Sequence, residues 1–126
     1  MLTLRDFGLP AARKACRLLL DGGLRGDGGV NYGTWAKWQD RGETCVTGMV
    51  LSVLSYFEHD DTRLDSMAAY LLEQQMPDGG WNCRSPYGAT HASVHTTISV
   101  LEGLRHYELH RKRKTSCRAR GRAARP

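Results

Sequence analysis

Asp27-Gly28-Gly29-Val30-Asn31 returns 51 residues later as Asp78-Gly79-Gly80-Trp81-Asn82. Each copy separates an upstream amphipathic segment from a longer apolar one. The chain therefore reads as two copies of one unit, which is the signature of a repeat architecture. The glycine pairs let the backbone turn sharply out of one helix and back along the next, and Trp81 is expected to lie over the bend as a packing plug. On this reading Asp27, Gly28, Gly29, Asp78, Gly79, Gly80 and Trp81 are structural.

Working outward, the periodicity predicts four helices and no strand. The first begins at Pro10, places Ala12, Ala15, Cys16, Leu19 and Leu20 on one face, and ends in a left-handed cap at Gly22-Gly23. The second covers about Thr44 to Phe57 with a stripe of Val46, Met49, Val50, Val53, Leu54 and Phe57. Leu51 lies off that stripe, so burial on more than one side is expected. The third follows Asp60-Asp61, with Thr62 and Asp65 placed for a capping box, and has Leu64, Met67, Ala68, Leu71 and Leu72 inside. Met76-Pro77 closes it. The fourth spans about Ala92 to His110, led by Val94, Ile98, Leu101 and Leu104. Superposing the units sets Leu51 on Leu101, Leu54 on Leu104 and Phe57 on Tyr107 at an offset of 50, one residue having been lost from the second loop. The expected fold is all-α: a partial α/α toroid of two helical hairpins, about 11–58 and 62–108, within residues 1–110.

The net charge of +5 hides a division. Eight of the 18 basic side chains (Arg111, Lys112, Arg113, Lys114, Arg118, Arg120, Arg122 and Arg125) fall in residues 111–126, which contain no acid. Ten remain against 13 acids, so residues 1–110 carry −3. The basic end reads as a disordered tail. It has no aromatic residue to stack on a base, which disfavours nucleic acid as a partner. No segment has 18 consecutive apolar residues, so no membrane span is expected, and the N-terminal region around Arg5 and Asp6 has no leader-like apolar stretch. The scattered Cys16, Cys45, Cys83 and Cys117 suggest reduced thiols in a cytoplasmic protein.

Gln74-Gln75 near a helix end, followed by Asp78-Gly79-Gly80-Trp81 in a hairpin of roughly 50 residues, resembles the terpenoid cyclases and protein prenyltransferase β-subunits. The likeness to their prenyltransferase and squalene oxidase repeat runs from about Ala11 to Glu108. Glu43-Thr44-Cys45-Val46-Thr47-Gly48-Met49 and the stretch from His95 to Leu104 are similar to bacterial squalene-cyclase-like proteins. That superfamily builds toroids of five to seven hairpins around a lipid-sized cavity. The resemblance thus implies an isoprenoid or lipid ligand for a full-length relative, with this chain an N-terminal portion inactive alone. After about Thr115 the sequence reads like out-of-frame translation of GC-rich DNA, as expected of a frameshifted or truncated gene. The alternative is a non-enzymatic helical-repeat module that binds a partner or self-associates through its open hairpin face.

In the prenyltransferases an Asp-x-Cys pair and a later His bind zinc. Glu43-Thr44-Cys45 stands in the place of the first, and His95 leads the equivalent segment one repeat later. Glu43, Cys45 and His95 would supply carboxylate, thiolate and imidazole donors to zinc. Cys83 could reach toward them from the preceding loop, and His91 and His95 have the i, i+4 spacing of paired ligands. The competing reading makes Cys45 a core residue, Glu43 a partner of the helix N-terminus, and the histidines partners of loop carbonyls. The chain has no Asp-x-Asp-Asp acid motif, and Asp60-Asp61 reads as a solvated turn. The aromatic residues able to face a carbocation (Tyr32, Trp35, Trp38, Trp81 and Tyr87) all fall in loops. Leu24-Arg25-Gly26-Asp27-Gly28-Gly29 follows a helix and lacks the lysine of a phosphate loop.

Overall fold

A computed structural model describes residues 9–33 and 40–123, with side chains to Thr115. It is all-α. Helices α1 (Pro10–Gly23), α2 (Thr44–Tyr56), α3 (Arg63–Glu73) and α4 (Val94–Ala123) are joined by loops, the last containing a single 3-10 turn at Ser85–Tyr87. Among the described residues there is no strand, only an isolated bridge between Leu24 and Val30. None of their helices is long and apolar enough to cross a membrane.

The repeated motif is one hydrogen-bonded turn built twice. Gly28 and Gly79 both take a positive φ, +90° and +91°, which an L side chain resists. The second glycine of each pair is demanded by space. A methyl group on Gly29 would lie 2.7 Å from the Gly42 Cα, and one on Gly80 would lie 2.4 Å from the Ala92 Cβ. Asp27 accepts the amides of Gly29 and Gly42, as Asp78 accepts those of Gly80 and Ala92. The Asn31 side-chain Nδ2 donates to the Arg41 carbonyl, as the Asn82 Nδ2 does to that of His91. Thr47 and Thr97 each accept the amide of the fourth motif residue, Val30 and Trp81 respectively. These partners repeat at an offset of 51 within the motif and 50 beyond it, which places the missing residue in the second loop. Each Asp and Asn thereby ties the turn to the residues that open the next helix.

α1 starts as expected, with Pro10 where a missing N–H costs nothing. Its end differs from the expected left-handed cap. Leu24 closes the helix in an extended conformation, its amide donating to the Leu20 carbonyl. The Tyr32 ring packs directly on Gly23, where a methyl would lie 2.5 Å from it, and its hydroxyl donates to the Leu19 carbonyl. On α3, Leu64, Met67, Ala68 and Leu71 are buried as expected, joined by Tyr70, while Leu72 is exposed. The expected Thr62 capping box is absent. Asp61 accepts the Arg63 amide, and the Arg63 guanidinium beside it holds the carboxyl below its ordinary range.

The apolar stripes read for α2 and α4 are buried only in part: Val50 and Leu54 are covered and Val46, Phe57 and Leu104 pack against the core, while burial of Leu51 meets the expectation that α2 is covered on more than one side. On α2 Thr44, Thr47, Gly48, Val50, Leu51, Leu54 and Ser55 are covered, with Met49 and Val53 exposed. On α4 Thr96, Val100 and Gly103 are covered, whereas Val94, Ile98 and Leu101 are exposed. The reason is the contact between the two helices. A methyl on Gly103 would lie 2.4 Å from the Gly48 carbonyl oxygen, and one on Gly48 would lie 2.7 Å from that of Ser99. α2 and α4 approach backbone to backbone, so glycine and hydroxyl residues, not the largest side chains, occupy the seam. Around it Leu20, Val30, Leu51, Leu54, Met67, Leu71, Trp81 and Val100 form the core. Trp81 is the expected plug, its indole N–H donating to the Leu71 carbonyl at 2.6 Å.

α4 does not stop at His110. It runs through the basic segment to Ala123, so the stretch expected to be a disordered tail is helical to that residue. Ala, Arg and Lys favour helix. Lys112 pairs with Glu108 one turn back, while Arg113 and Lys114 reach Glu58 and Asp60 beyond the end of α2. The side chains of Cys117, Arg118, Arg120 and Arg122, all of Arg125, and the loop tryptophans Trp35 and Trp38 lie outside the described residues, as do Arg5 and Asp6.

Candidate metal centre

Two helix starts and one loop converge on a cluster of three soft donors. Cys45 is the second residue of α2 and His95 the second residue of α4, equivalent positions of successive repeats. Their backbones are held together by the glycine seam one turn further on and by the Ser99 hydroxyl, which donates to the Cys45 carbonyl at 2.7 Å. Cys83 comes from the loop after the second motif. Asn82 fixes that loop by accepting the Arg84 amide and donating to the His91 carbonyl, and the Cys83 amide reaches the Thr96 hydroxyl at 3.5 Å. Ser93 accepts the Thr96 amide and so caps α4 just before His95.

The Cys45 and Cys83 sulfurs and a ring nitrogen of His95 all lie within 4.8 Å of one another. Tetrahedral zinc, with sulfur about 2.3 Å away, sets its sulfur donors about 3.8 Å apart, a distance that small side-chain rotations would reach here. Glu43, immediately before α2, adds a carboxylate oxygen 3.4 Å from the Cys45 sulfur, where it accepts the thiol hydrogen. The two cysteines are half-buried and His95 is exposed, so the cluster opens to solvent on the histidine side.

Electrostatics fit a cation at this point. Burial, then Glu43 and Cys83, push the Cys45 thiol up to about 12. The neutral thiol is favoured first because burial strips water from the thiolate, and then because its charge would stand beside Glu43. A bound divalent ion would supply the missing positive charge and displace the thiol protons. The N-termini of α2 and α4 add partial positive charge from the same side.

Cys45, Cys83 and His95 are thus brought together, Glu43 meets the cluster through its contact with Cys45, and His91 lies outside it. α4 begins at Val94, so the i, i+4 spacing of His91 and His95 is not helical. The His91 side chain is exposed beside the Thr90 hydroxyl, and its carbonyl serves Asn82. Of the aromatic residues, Tyr32 packs on α1, Trp81 is in the core, and Tyr87 is exposed on the 3-10 turn. Gly48, Ser99 and Gly103 went unnoticed in the sequence, although they bring the two helix starts together. The recurrence of Thr47 at Thr97 was a usable signal for the superposition that pairs Cys45 with His95. The Asp-Gly-Gly motifs are fully accounted for as turns. No family model, curated protein or solved structure matches this chain.

Proposed function

We propose that this chain is a zinc-binding helical-repeat unit, with Cys45, Cys83 and His95 as ligands and Glu43 in the fourth, exchangeable position. One observation carries the reading: three donors from α2, α4 and the intervening loop share a volume the size of a zinc coordination sphere. Paired thiolates with an imidazole select zinc over magnesium or calcium, which prefer oxygen. In this role the site joins the two repeats, as its donors span the α2–α4 seam. Zinc would also supply Lewis acidity at a solvent-facing position, able to lower the pKa of a bound thiol or water. Glu43 is suited to yield that position, since a hydrogen bond to a neighbouring thiol is its contact with the cluster. The resemblance to squalene-cyclase-like and prenyltransferase-like repeats agrees with a thiolate–imidazole zinc site between hairpins, and an isoprenoid or other lipid is the ligand class it would imply for a complete toroid.

The test is metal content and competition titration of the purified full chain. About one zinc per chain is expected, lost in Cys45→Ser, Cys83→Ser and His95→Ala and retained in His91→Ala. Cobalt substitution should give a thiolate charge-transfer band that disappears in the cysteine variants. Absence of stoichiometric zinc in the wild-type chain, or equal loss in His91→Ala, would overturn the assignment.

A further inference from the structure

The turn hydrogen bonds make residues of α2 and α4 equivalent at an offset of 50, and burial then divides their faces in a telling way. Thr44, Gly48 and Leu51 are the side of α2 turned inward; Gly48 meets α4 backbone to backbone, and Leu51 is 0% exposed. Their equivalents on α4 are Val94, Ile98 and Leu101, which are 78%, 56% and 52% exposed. In the other direction, Ser99 and Gly103 are the side of α4 that faces α2. Their equivalents on α2 are Met49 and Val53, which are 53% and 40% exposed. The chain therefore carries one internal junction and, on its two outer sides, the two unused halves of the same kind of junction. Both halves are apolar where a solvated helix face would be polar.

We propose that this chain associates head to tail with further copies of itself, the Val94–Ile98–Leu101 face of α4 in one copy covering the Met49–Val53 face of α2 in the next. The occupant follows from self-complementarity: another copy carries both halves, so each contact covers one exposed face of each partner. The internal junction cannot be copied atom for atom, because Ile98 stands where Gly48 allows close approach. Ile98 and Val94 against Met49 and Val53 make an ordinary side-chain contact, with the helix axes about 8–10 Å apart. Such a contact is heterologous, so it extends into a ring or an open chain instead of stopping at a symmetric pair.

Sedimentation velocity and light scattering on the full chain across a wide concentration range test this. Wild-type mass should rise with concentration beyond that of a dimer. Ile98→Glu and Val53→Glu, both at exposed positions where circular dichroism should report unchanged helicity, should each be monomeric. Mixed together they should form a heterodimer and nothing larger, since one intact α4 face and one intact α2 face remain. A wild-type chain monomeric at every concentration would overturn the proposal, as expected if a different protein or a further hairpin covers these faces. Self-association persisting in either single variant would overturn it too, because it would mean a symmetric contact through one face.

Discussion

Gly28 and Gly79 share a backbone conformation but not an environment. A methyl on Gly79 would meet nothing within 4 Å, whereas one on Gly28 would lie 2.9 Å from the Ser66 carbonyl oxygen. Gly79→Ala should therefore cost about 1 kcal/mol, the strain of a left-handed L residue. Gly28→Ala should add overpacking against α3, about 1–3 kcal/mol more, and denaturant unfolding of the two variants would measure the gap. At Asp78 the amides of Ala92 and Gly80 hold the carboxyl below its ordinary range. A carboxylate depressed in the folded state contributes stability above its unfolded pKa of about 4 and loses it as pH falls through the lower folded value. Asp78→Asn should consequently flatten the acid limb of the stability–pH curve below about pH 4 while leaving its neutral part little changed in slope. An acid limb as steep as wild type in urea titrations would show that these two hydrogen bonds contribute nothing to it.

Among the elements, the α2–α4 pair links packing to the cluster of Cys45, Cys83 and His95. The seam built on Gly48, Ser99 and Gly103 lies within about two turns of the cluster and sets the separation of Cys45 and His95. Gly103→Ala pushes a methyl against the Gly48 carbonyl and should cost about 1–3 kcal/mol. Because the helices must part, zinc affinity should fall with it, by about tenfold for each 1.4 kcal/mol of strain on the bound geometry. Metal competition titration beside thermal unfolding would show whether the two effects travel together; a stability loss at full zinc affinity would separate the seam from the site. At the other end of α2, Glu58 takes φ 56° while the His59 amide reaches back to the Leu54 carbonyl. This Schellman closure ordinarily uses glycine. The ion pair of Glu58 with Arg113 is exposed and contributes little to offset the strain.

For the whole molecule, two hairpins leave much apolar surface open, and an array of stacked repeats normally requires more units to cover it. A metal spanning the seam would restrain the two units in a way their small core does not. Zinc at a thousandfold excess over its Kd adds about 4 kcal/mol to a folded state that alone binds it. The melting temperature should therefore rise by about 15 °C with zinc and fall back with a chelator, as followed by far-UV circular dichroism. Identical melts with and without zinc would mean the cluster contributes nothing to the fold. The effect should weaken at acid pH, because metal binding must displace the thiol protons.

The local grammar of this chain was legible without coordinates. Pro10 starts a helix, paired glycines turn the chain, and a doubled Asp-Gly-Gly motif declares a repeat, because each depends on backbone conformation within a few residues. Glu43, Cys45 and His95 were nameable as candidates through the resemblance to prenyltransferase zinc sites, with the internal register setting Cys45 against His95 and Cys83 added from the neighbouring loop. Whether their side chains met was decided in three dimensions, by a close contact between residues 48 and 103. The same contact explains why Met49, Val53, Ile98 and Leu101 face outward while other members of their stripes, such as Val50 and Leu54, are buried. Hydrophobic periodicity reports which side of a helix would gain from burial, whereas close packing of two backbones puts the smallest residues at the contact and turns apolar residues on the far side of each helix outward.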